Sequence, residues 1–414
     1  MEYKNMRCGL IGEHLGHSFS KIIHAEIADY SYELCELVPD ELEAFVKEGG
    51  LDAFNVTIPY KKAVMPFLDR ISDEALRIGA VNTVVRRADG SLDGYNTDYY
   101  GFCGMIDALG IVIKGKKAIV FGNGGASLTV QAVLADRDVG ETVVITVKGE
   151  NNYENLYKHY DADIIVNATP VGMYPKNGEK LAELSNFKNC RAVFDVIYNP
   201  SKTALLLDAE KLGIPHINGL YMLVAQAVKA YEYFTGQMAD CEIIERIVEK
   251  IQRDTKNVIL IGMPGCGKST VGALIGKILG RDFLDADVKF TETYGVPPAE
   301  TINTLGEDRF REMERDILSK LCRESGKIIA CGGGVVTREF NYPLMHQNGV
   351  IVYVKRELSK LSTEGRPLSQ AFSVEALYEK RKAAYERFAD VTVECTEIPE
   401  LTARCILDAL GFDY

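Results

Sequence analysis

The sequence holds no tryptophan, no two cysteines at CxxC spacing and no apolar run long enough to span a bilayer. Its ten cysteines are scattered, and no His/Cys cluster falls at zinc-ligand spacing. That excludes a zinc knuckle and a dithiol redox pair, and leaves reduced thiols as the expectation. The amino-terminal MEYKNMRCGLIG lacks the apolar centre of a secretion signal, so a cytoplasmic protein is expected. Positive charge is in short supply: 47 Lys and Arg stand against 59 Asp and Glu, a net charge of −12. Such a balance argues against nucleic acid or an anionic membrane as the main partner, while a few local cations still suffice for small anions. What is present is 414 residues, 47% of them hydrophobic, enough for roughly two or three domains with cores of their own.

The clearest pattern lies mid-chain, in NVILIGMPGCGKST from Asn257 to Thr270. Val258 to Ile261 and then Gly262 read as a buried parallel strand, and Val271, Leu274, Ile275 and Ile278 recur behind it at helical spacing. Between them stands GxxxxGK[ST], a loop whose backbone N–H groups cradle phosphate. Pro264, Gly265, Cys266, Gly267, Ser269 and Thr270 are the expected ATP contacts. Lys268 would reach the β and γ phosphates, and the Ser269 hydroxyl suits Mg²⁺.

Polar residues gather at element junctions in the first quarter. A short strand, Arg7 to Gly12, feeds the loop GEHLGHSFS and a helix from about Lys21. Ser20 stands where a helix N-cap belongs, and with Ser18 it makes either an ordinary pair of caps or a cradle for an anion. His14, His17 and His24 lie close in sequence without a carboxylate or thiolate at ligand spacing, so no metal is expected there. In FNVTIPYKK a β-rich run breaks at Pro59, and a helix is expected from about Lys61, a lysine placed for acid–base work or simply solvated. GYNTDYYGF then sets Asn96, Thr97 and Asp98 on a strand-to-helix turn, where Asp98 either caps the helix or meets a lysine across a cleft.

A βαβ unit follows: the strand KAIVF (Lys117 to Phe121), the loop GNGGAS, a helix bearing Val130, Val133 and Leu134, and a strand from Thr142 to Val147. A dinucleotide pyrophosphate is expected at Gly122, on the backbone N–H groups of Asn123, Gly124, Gly125, Ala126 and Ser127. The second strand ends in Thr146, Val147, Lys148 and Gly149, with no acid for a ribose hydroxyl. Lys148 therefore points to NADP over NAD, with Glu150 near enough to weaken the preference. NATPVGM, FDVIYNPSKT and GLYMLVAQA each follow or end an apolar run, where a doubly wound sheet presents ligands.

CEIIERIVEKIQRD, Cys241 to Asp254, reads as an amphipathic helix, and a short linker over 253–257 is expected before the phosphate-loop strand. Farther on, Asp285 and Asp287 in DFLDADVKF fall on one face of an expected strand. Acids near such a loop serve Mg²⁺ or a nucleophilic hydroxyl. GEDRFREMERDIL with Arg311 and Glu314, IIACGGGV, GRPLS, and EKRKAAYERFAD with Arg381 complete the series.

HSFS, NVTIPYK, AVNT and NTD, in that order and continued by NATPVGM, FDVIYNPSKT and GLYMLVAQA, resemble shikimate dehydrogenase. The resemblance implies that Ser18, Ser20, Thr57, Asn82 and Asp98 bind the carboxylate and hydroxyls of shikimate, with Tyr198 and Gln226 completing the pocket. It also implies a Lys61–Asp98 pair for proton transfer, and Val196 and Gly219 beside the nicotinamide. Two departures stand out: Lys21 replaces a frequent proline, and an arginine usual after the second dinucleotide strand is missing.

The phosphate loop and the motifs behind it resemble shikimate kinase. That implies Asp287 on the shikimate hydroxyls and on the proton of the attacking 3-OH, Arg311 and Arg381 on the carboxylate, and Gly333 in backbone contact. Lys268 would stabilise the moving phosphoryl group, Arg366 would reach over ATP, and Asp285 would support the Mg²⁺ held by Ser269. Glu397 and Ile398 stand where that family often has a basic residue near adenine.

Together the resemblances imply an α/β chain. A substrate-binding domain is expected over 1–110, completed by helices within 220–252, with a Rossmann NADP domain over 111–219. A P-loop domain like the nucleoside monophosphate kinases, with a parallel sheet, is expected over 258–414. The implied activity is NADPH-dependent reduction of 3-dehydroshikimate followed by ATP-dependent phosphorylation of shikimate. The alternatives are an NAD-using quinate/shikimate dehydrogenase joined to another small-molecule P-loop kinase, and a ligand-binding regulator without turnover. Retention of Lys61, Asp98, Lys268 and Asp287 argues against the regulator.

Overall fold

A computed structural model describes residues 3–16, 18–361 and 373–412. The chain divides into two compact units, Met1–Glu249 and Lys250–Tyr414. Among the described residues, no helix is long and apolar enough to cross a membrane, and all ten cysteines are free thiols.

The first unit is built on two sheets. One contains β1 (Arg7–Gly12), β2 (Ser31–Glu36), β3 (Ala53–Val56), β4 (Arg70–Ile71), β5 (Thr83–Arg86) and β6 (Leu92–Tyr95), in the order β2-β1-β3-β5-β6-β4. β1 is parallel to β2 and β3, and β5 runs antiparallel to both β3 and β6. All of β3 is buried because both faces of the sheet are covered. Phe54 and Val56 pack with Leu42, Val46 and Val64, whereas Ala53 on the opposite face packs with Tyr231 and Phe234. Those two aromatics belong to the helix Leu220–Thr235, which also crosses the helices Thr97–Leu109 and Ser20–Ile27.

The other sheet is wholly parallel: β7 (Lys117–Phe121), β8 (Glu141–Ile145), β9 (Ile164–Asn167), β10 (Ala192–Asp195) and β11 (His216–Ile217), in the order β11-β10-β9-β7-β8. Alternate residues of β7 enter opposite cores, Ala118 and Val120 one, Ile119 and Phe121 the other. This two-sided burial explains the unbroken apolar run of KAIVF. The strand order reverses between β7 and β9, which opens a crevice at their carboxyl ends.

The second unit has one parallel sheet: β12 (Asn257–Ile261), β13 (Phe283–Asp285), β14 (Ile328–Ala330), β15 (Gly349–Lys355) and β16 (Val391–Glu394), in the order β13-β14-β12-β15-β16. β12 is central and fully buried, with Val258 and Leu260 in one core and Ile259 and Ile261 in the other. The α/β class with parallel sheets is as expected.

Several local expectations are corrected. No linker separates the amphipathic helix from β12: the helix runs Ile243–Thr255, no Gly or Pro interrupts it, and only Lys256 precedes the strand. β8 ends at Ile145, short of Val147, because the Thr146 N–H turns back to Asn151 O. Past Pro59 the expected helix is a single turn, Tyr60–Ala63. Ser20 is the first residue of its helix and not the cap; its own N–H donates to Ser18 Oγ at 3.2 Å. Ile278 is exposed. It lies one residue before the end of the helix Lys268–Leu279, past the turn in which Val271 and Ile275 reach the core. Asp285 and Asp287 do not share a strand face either. Asp285 ends β13 and caps the helix Ala286–Tyr294, whose first turn holds Asp287.

Candidate active sites

In the first unit a cavity of about 500 Å³ gathers Ser18, Ser20, Thr57, Lys61, Asn82, Asp98, Ala126, Val196, Tyr198, Gly219 and Gln226. Asn96 caps the helix Thr97–Leu109 by accepting the Tyr99 N–H, which leaves Asp98 in the first turn to face the cavity. Lys61 Nζ meets Asp98 Oδ2 at 2.6 Å. Beside them Asn82 is buried, its Oδ1 accepting from the Thr97 N–H at 2.7 Å and from the hydroxyls of Thr83 and Thr97. Thr97 Oγ1 also lies 3.4 Å from Gln226 Oε1, so this chain of dipoles fixes the cavity floor. Ser18 Oγ donates to Ser20 Oγ at 3.0 Å. The rings of Phe19 and Tyr198 stand 5.4 Å apart, joining the serine loop to the loop after β10. Burial holds the Tyr198 hydroxyl above its usual pKa.

Sequence reasoning missed Asn55. It lines the same cavity, accepts from Tyr32 OH at 2.7 Å and donates to Asn82 O and Thr83 Oγ1. The available signal was a polar residue inside an otherwise apolar four-residue strand.

The dinucleotide loop begins at Gly122, whose φ of +103° suits glycine. Gly124 caps the helix Gly125–Asp136, and open space lies where a Cβ on Gly124 or Gly125 would stand. A pyrophosphate fits there, against backbone N–H groups at a helix start. Ser127 is turned inward and donates to Gly122 O at 2.7 Å. Asn123 is exposed at the loop. Lys148 lies outside the cavity, exposed in a loop that folds on itself through Asn152 Nδ2 to Gly149 O and Asn155 Nδ2 to Glu150 O.

In the second unit a cavity of about 420 Å³ gathers Pro264, Gly265, Gly267, Lys268, Ser269, Thr270, Asp285, Asp287, Arg311, Gly333 and Arg381. Gly267 starts the helix Lys268–Leu279 at φ +101°, which aims successive N–H groups into the loop. Cys266 lies fully buried beneath it. Lys268 Nζ is folded back on Gly262 O and Met263 O at 2.9 and 3.1 Å, carbonyls that a phosphate would replace. Ser269 Oγ donates to Asp285 Oδ2 at 2.6 Å. No group of three or more His, Cys, Asp or Glu suited to a metal occurs among the described residues. A hydroxyl and a carboxylate nonetheless fit Mg²⁺, which completes its shell with phosphate and water.

Arg311 donates to Glu314 Oε2 at 2.7 Å and to Glu307 Oε1 at 3.0 Å, and Arg381 donates to Gly333 O at 3.3 Å. Arg311 Nε, Arg381 Nε and Glu314 Oε1 are buried without a hydrogen-bond partner. Two guanidinium groups lining this end of the cavity make it receptive to an anion. Burial pushes the Glu314 carboxyl up, against the pull of Arg311. Arg366 lies outside the described residues.

Comparison with known proteins follows the same division. The shikimate dehydrogenase substrate binding domain model matches residues 10–84, and the shikimate 5′-dehydrogenase C-terminal domain model matches 219–249. The shikimate kinase model matches 264–410. The shikimate dehydrogenase (NADP(+)) of Clostridium perfringens is 36% identical over 265 residues, which is 59% of this chain and 97% of that protein. A chorismate mutase/shikimate 5-dehydrogenase fusion protein from Clostridium acetobutylicum is 36% identical, over 60% of this chain and 97% of its own, with a TM-score of 0.58. Shikimate 5-dehydrogenase from Thermus thermophilus, solved with NADP(H) and shikimate, is 31% identical, over 59% of this chain and 99% of its own, with a TM-score of 0.54.

Proposed function

Because the chain belongs to the shikimate dehydrogenase family and carries a shikimate kinase domain behind it, we propose that it is a bifunctional enzyme acting twice on one carbocycle. The first unit reduces 3-dehydroshikimate to shikimate, and the second phosphorylates shikimate at its 3-hydroxyl. NADPH supplies the hydride to the carbonyl carbon when bound. Lys61 gives a proton to the carbonyl oxygen, and Asp98 at 2.6 Å holds the ammonium in place and receives a substrate hydroxyl. Ser18, Ser20, Thr57, Asn82, Tyr198 and Gln226 bind the carboxylate and remaining hydroxyls. The Lys61–Asp98 contact inside a cavity of substrate size carries this reading.

In the second unit the shikimate carboxylate binds between the guanidinium groups of Arg311 and Arg381, both of which line the cavity. Asp287 accepts the proton of the 3-hydroxyl as its oxygen attacks the γ-phosphorus and ADP leaves. Lys268 leaves its carbonyl partners to balance charge on the transferring group, and Ser269 with Asp285 would hold Mg²⁺.

Sequential addition tests both halves in one cuvette. With 3-dehydroshikimate and NADPH, absorbance at the nicotinamide band falls; with MgATP added afterwards, ADP appears. Lys61→Ala lowers the first signal by about 10²–10⁴-fold and, when shikimate is supplied directly, leaves the second. Lys268→Ala does the reverse. NADPH loss without ADP would assign the second unit another phosphoryl acceptor, and no turnover with both ligands bound would favour a regulator.

A further inference from the structure

Asp195, at the carboxyl end of β10, is completely buried yet has no part in the chemistry above. Its Oδ1 accepts from Asn167 Nδ2 and from the Ile197 N–H, each at 3.0 Å, and its Oδ2 accepts from Thr203 Oγ1 at 2.7 Å. Asn167, at the end of β9, accepts from the N–H and hydroxyl of Thr169, donates to Val171 O, and takes the Val196 N–H on its carbonyl. One carboxylate therefore ties two loops at the dinucleotide crevice. The first presses on Gly122, where an added Cβ would meet Ala168 O at 3.0 Å and the Thr169 methyl at 2.9 Å. The second carries Val196 and Tyr198 into the cavity and touches Gly219, whose N–H donates to Ile197 O.

We propose that Asp195 is a positioning residue for dinucleotide binding, holding Val196 and the 167–171 loop, through Asn167, Ile197 and Thr203, at the spacing the nicotinamide end of the cofactor requires. The inference rests on the reading of the first unit as a dinucleotide-dependent dehydrogenase. Packing alone does not call for an acid here, since burying an ionised carboxylate opposes folding. All three of its partners donate to the ionised form, and a protonated acid would have to turn one of them around.

Among the described residues, the charged side chains on the elements packed against Asp195 are paired with one another or exposed. β9 brings only Ile, Val and Asn; β11 brings His216, whose Nδ1 lies on Ile214 O. From the helix Ala204–Lys211, Asp208 and Glu210 pair with Lys180 and Lys202, and Lys211 is exposed. Burial, opposed by the bonds from Thr203, Ile197 and Asn167, raises the carboxyl from 3.8 to about 7. The stability that Asp195 contributes is thus full below its unfolded value and is lost as pH rises through about 7. Its grip on the loops follows the ionised form and strengthens over the same range. A residue that served only the fold would not separate the two trends.

The test is NADPH affinity of the full chain, read from the cofactor's own fluorescence, alongside thermal unfolding. At pH about 8, Asp195→Asn is expected to bind about tenfold more weakly, the worth of one buried hydrogen bond to a charged group, with an equal or higher Tm. Wild-type affinity weakens as pH falls through about 7, and the Asn variant lacks this step. Unchanged affinity in Asp195→Asn, or a loss only in proportion to a fallen Tm, overturns the proposal. A wild-type chain that does not bind NADPH at all removes the dehydrogenase reading first, and this inference with it.

Discussion

Lys61 Nζ and Asp98 Oδ2 stand 2.6 Å apart although 37 positions separate the two residues in the chain. The lysine comes from a single helical turn after Pro59, the acid from the first turn of a helix already capped by Asn96. Neither side chain is needed by its own element, so the pair is free to serve the cavity. Lys61→Ala is expected to lower kcat for carbonyl reduction by about 10²–10⁴-fold with the KM for NADPH unchanged. The Lys61→Ala/Asp98→Asn double variant should be little worse than either single one, because the two act as a unit. Steady-state rates decide it; additive losses would mean that the residues work separately.

Val147 is the position at which cofactor choice can be tested. β8 stops at Ile145, the next residues fold back through Thr146, and both Val147 and Lys148 project into solvent with Glu150 nearby. A lone ammonium grips a 2′-phosphate less well than a planar guanidinium, which offers two parallel donors. Val147→Arg is expected to raise the NADPH-to-NADH ratio of kcat/KM by about tenfold, and Lys148→Ala to lower it. Initial rates with the two reduced cofactors measure this directly, and an unmoved ratio would show that this loop does not touch the 2′ position.

Much of this was readable from periodicity and glycine placement. The buried strands KAIVF and NVILI run into glycine loops at helix starts, and β12 and β7 hold those positions. Contacts across long separations were not readable, because spacing along the chain carries no distance between elements. Lys61 with Asp98 is one such contact, and Asn55 with Tyr32 is another. Short-range geometry failed where a turn came early: Asp287 looked like a strand neighbour of Asp285, but the Asp285 side chain caps a helix and so ends the strand between them. Ile278 fitted the helical period and still faces solvent, because it stands in the last turn of its helix, beyond the reach of the core that takes Val271 and Ile275.

Gly219 is where the end of the substrate pocket meets the loop after β10. An added Cβ would stand 2.0 Å from Val196 O and 2.4 Å from its carbonyl carbon, both backbone atoms. With φ at −71° an alanine has no conformational difficulty of its own, so the clash alone acts. Gly219→Ala must push Val196 and the start of the helix Leu220–Thr235 apart. The expected result is a loss of about 10²-fold in kcat/KM for 3-dehydroshikimate, the cost of misplacing a reacting pair by about 1 Å. Phosphorylation of supplied shikimate by the same protein is the control for a folded second unit.

Gly334 makes the corresponding case in the kinase domain. A Cβ there would lie 1.8 Å from Arg311 Nη2 and 2.4 Å from its Cζ. The guanidinium cannot step aside cheaply, since Glu314 and Glu307 both hold it and the Arg311–Glu314 pair is buried. Breaking such a pair costs about 3–5 kcal/mol. Gly334→Ala is therefore expected to raise the KM for shikimate steeply and to lower the Tm, while ATP affinity, set by the phosphate loop, stays within about twofold. Gly333→Ala gives the contrast: its Cβ would strike the Pro264 ring at 2.6 Å, within the phosphate loop itself, so ATP affinity should fall as well. Titrations of ATP and shikimate on both variants separate the two outcomes. If Gly334→Ala keeps its affinity for shikimate, Arg311 has a second position from which it binds the carboxylate equally well, and the rigidity ascribed to its pair with Glu314 is wrong.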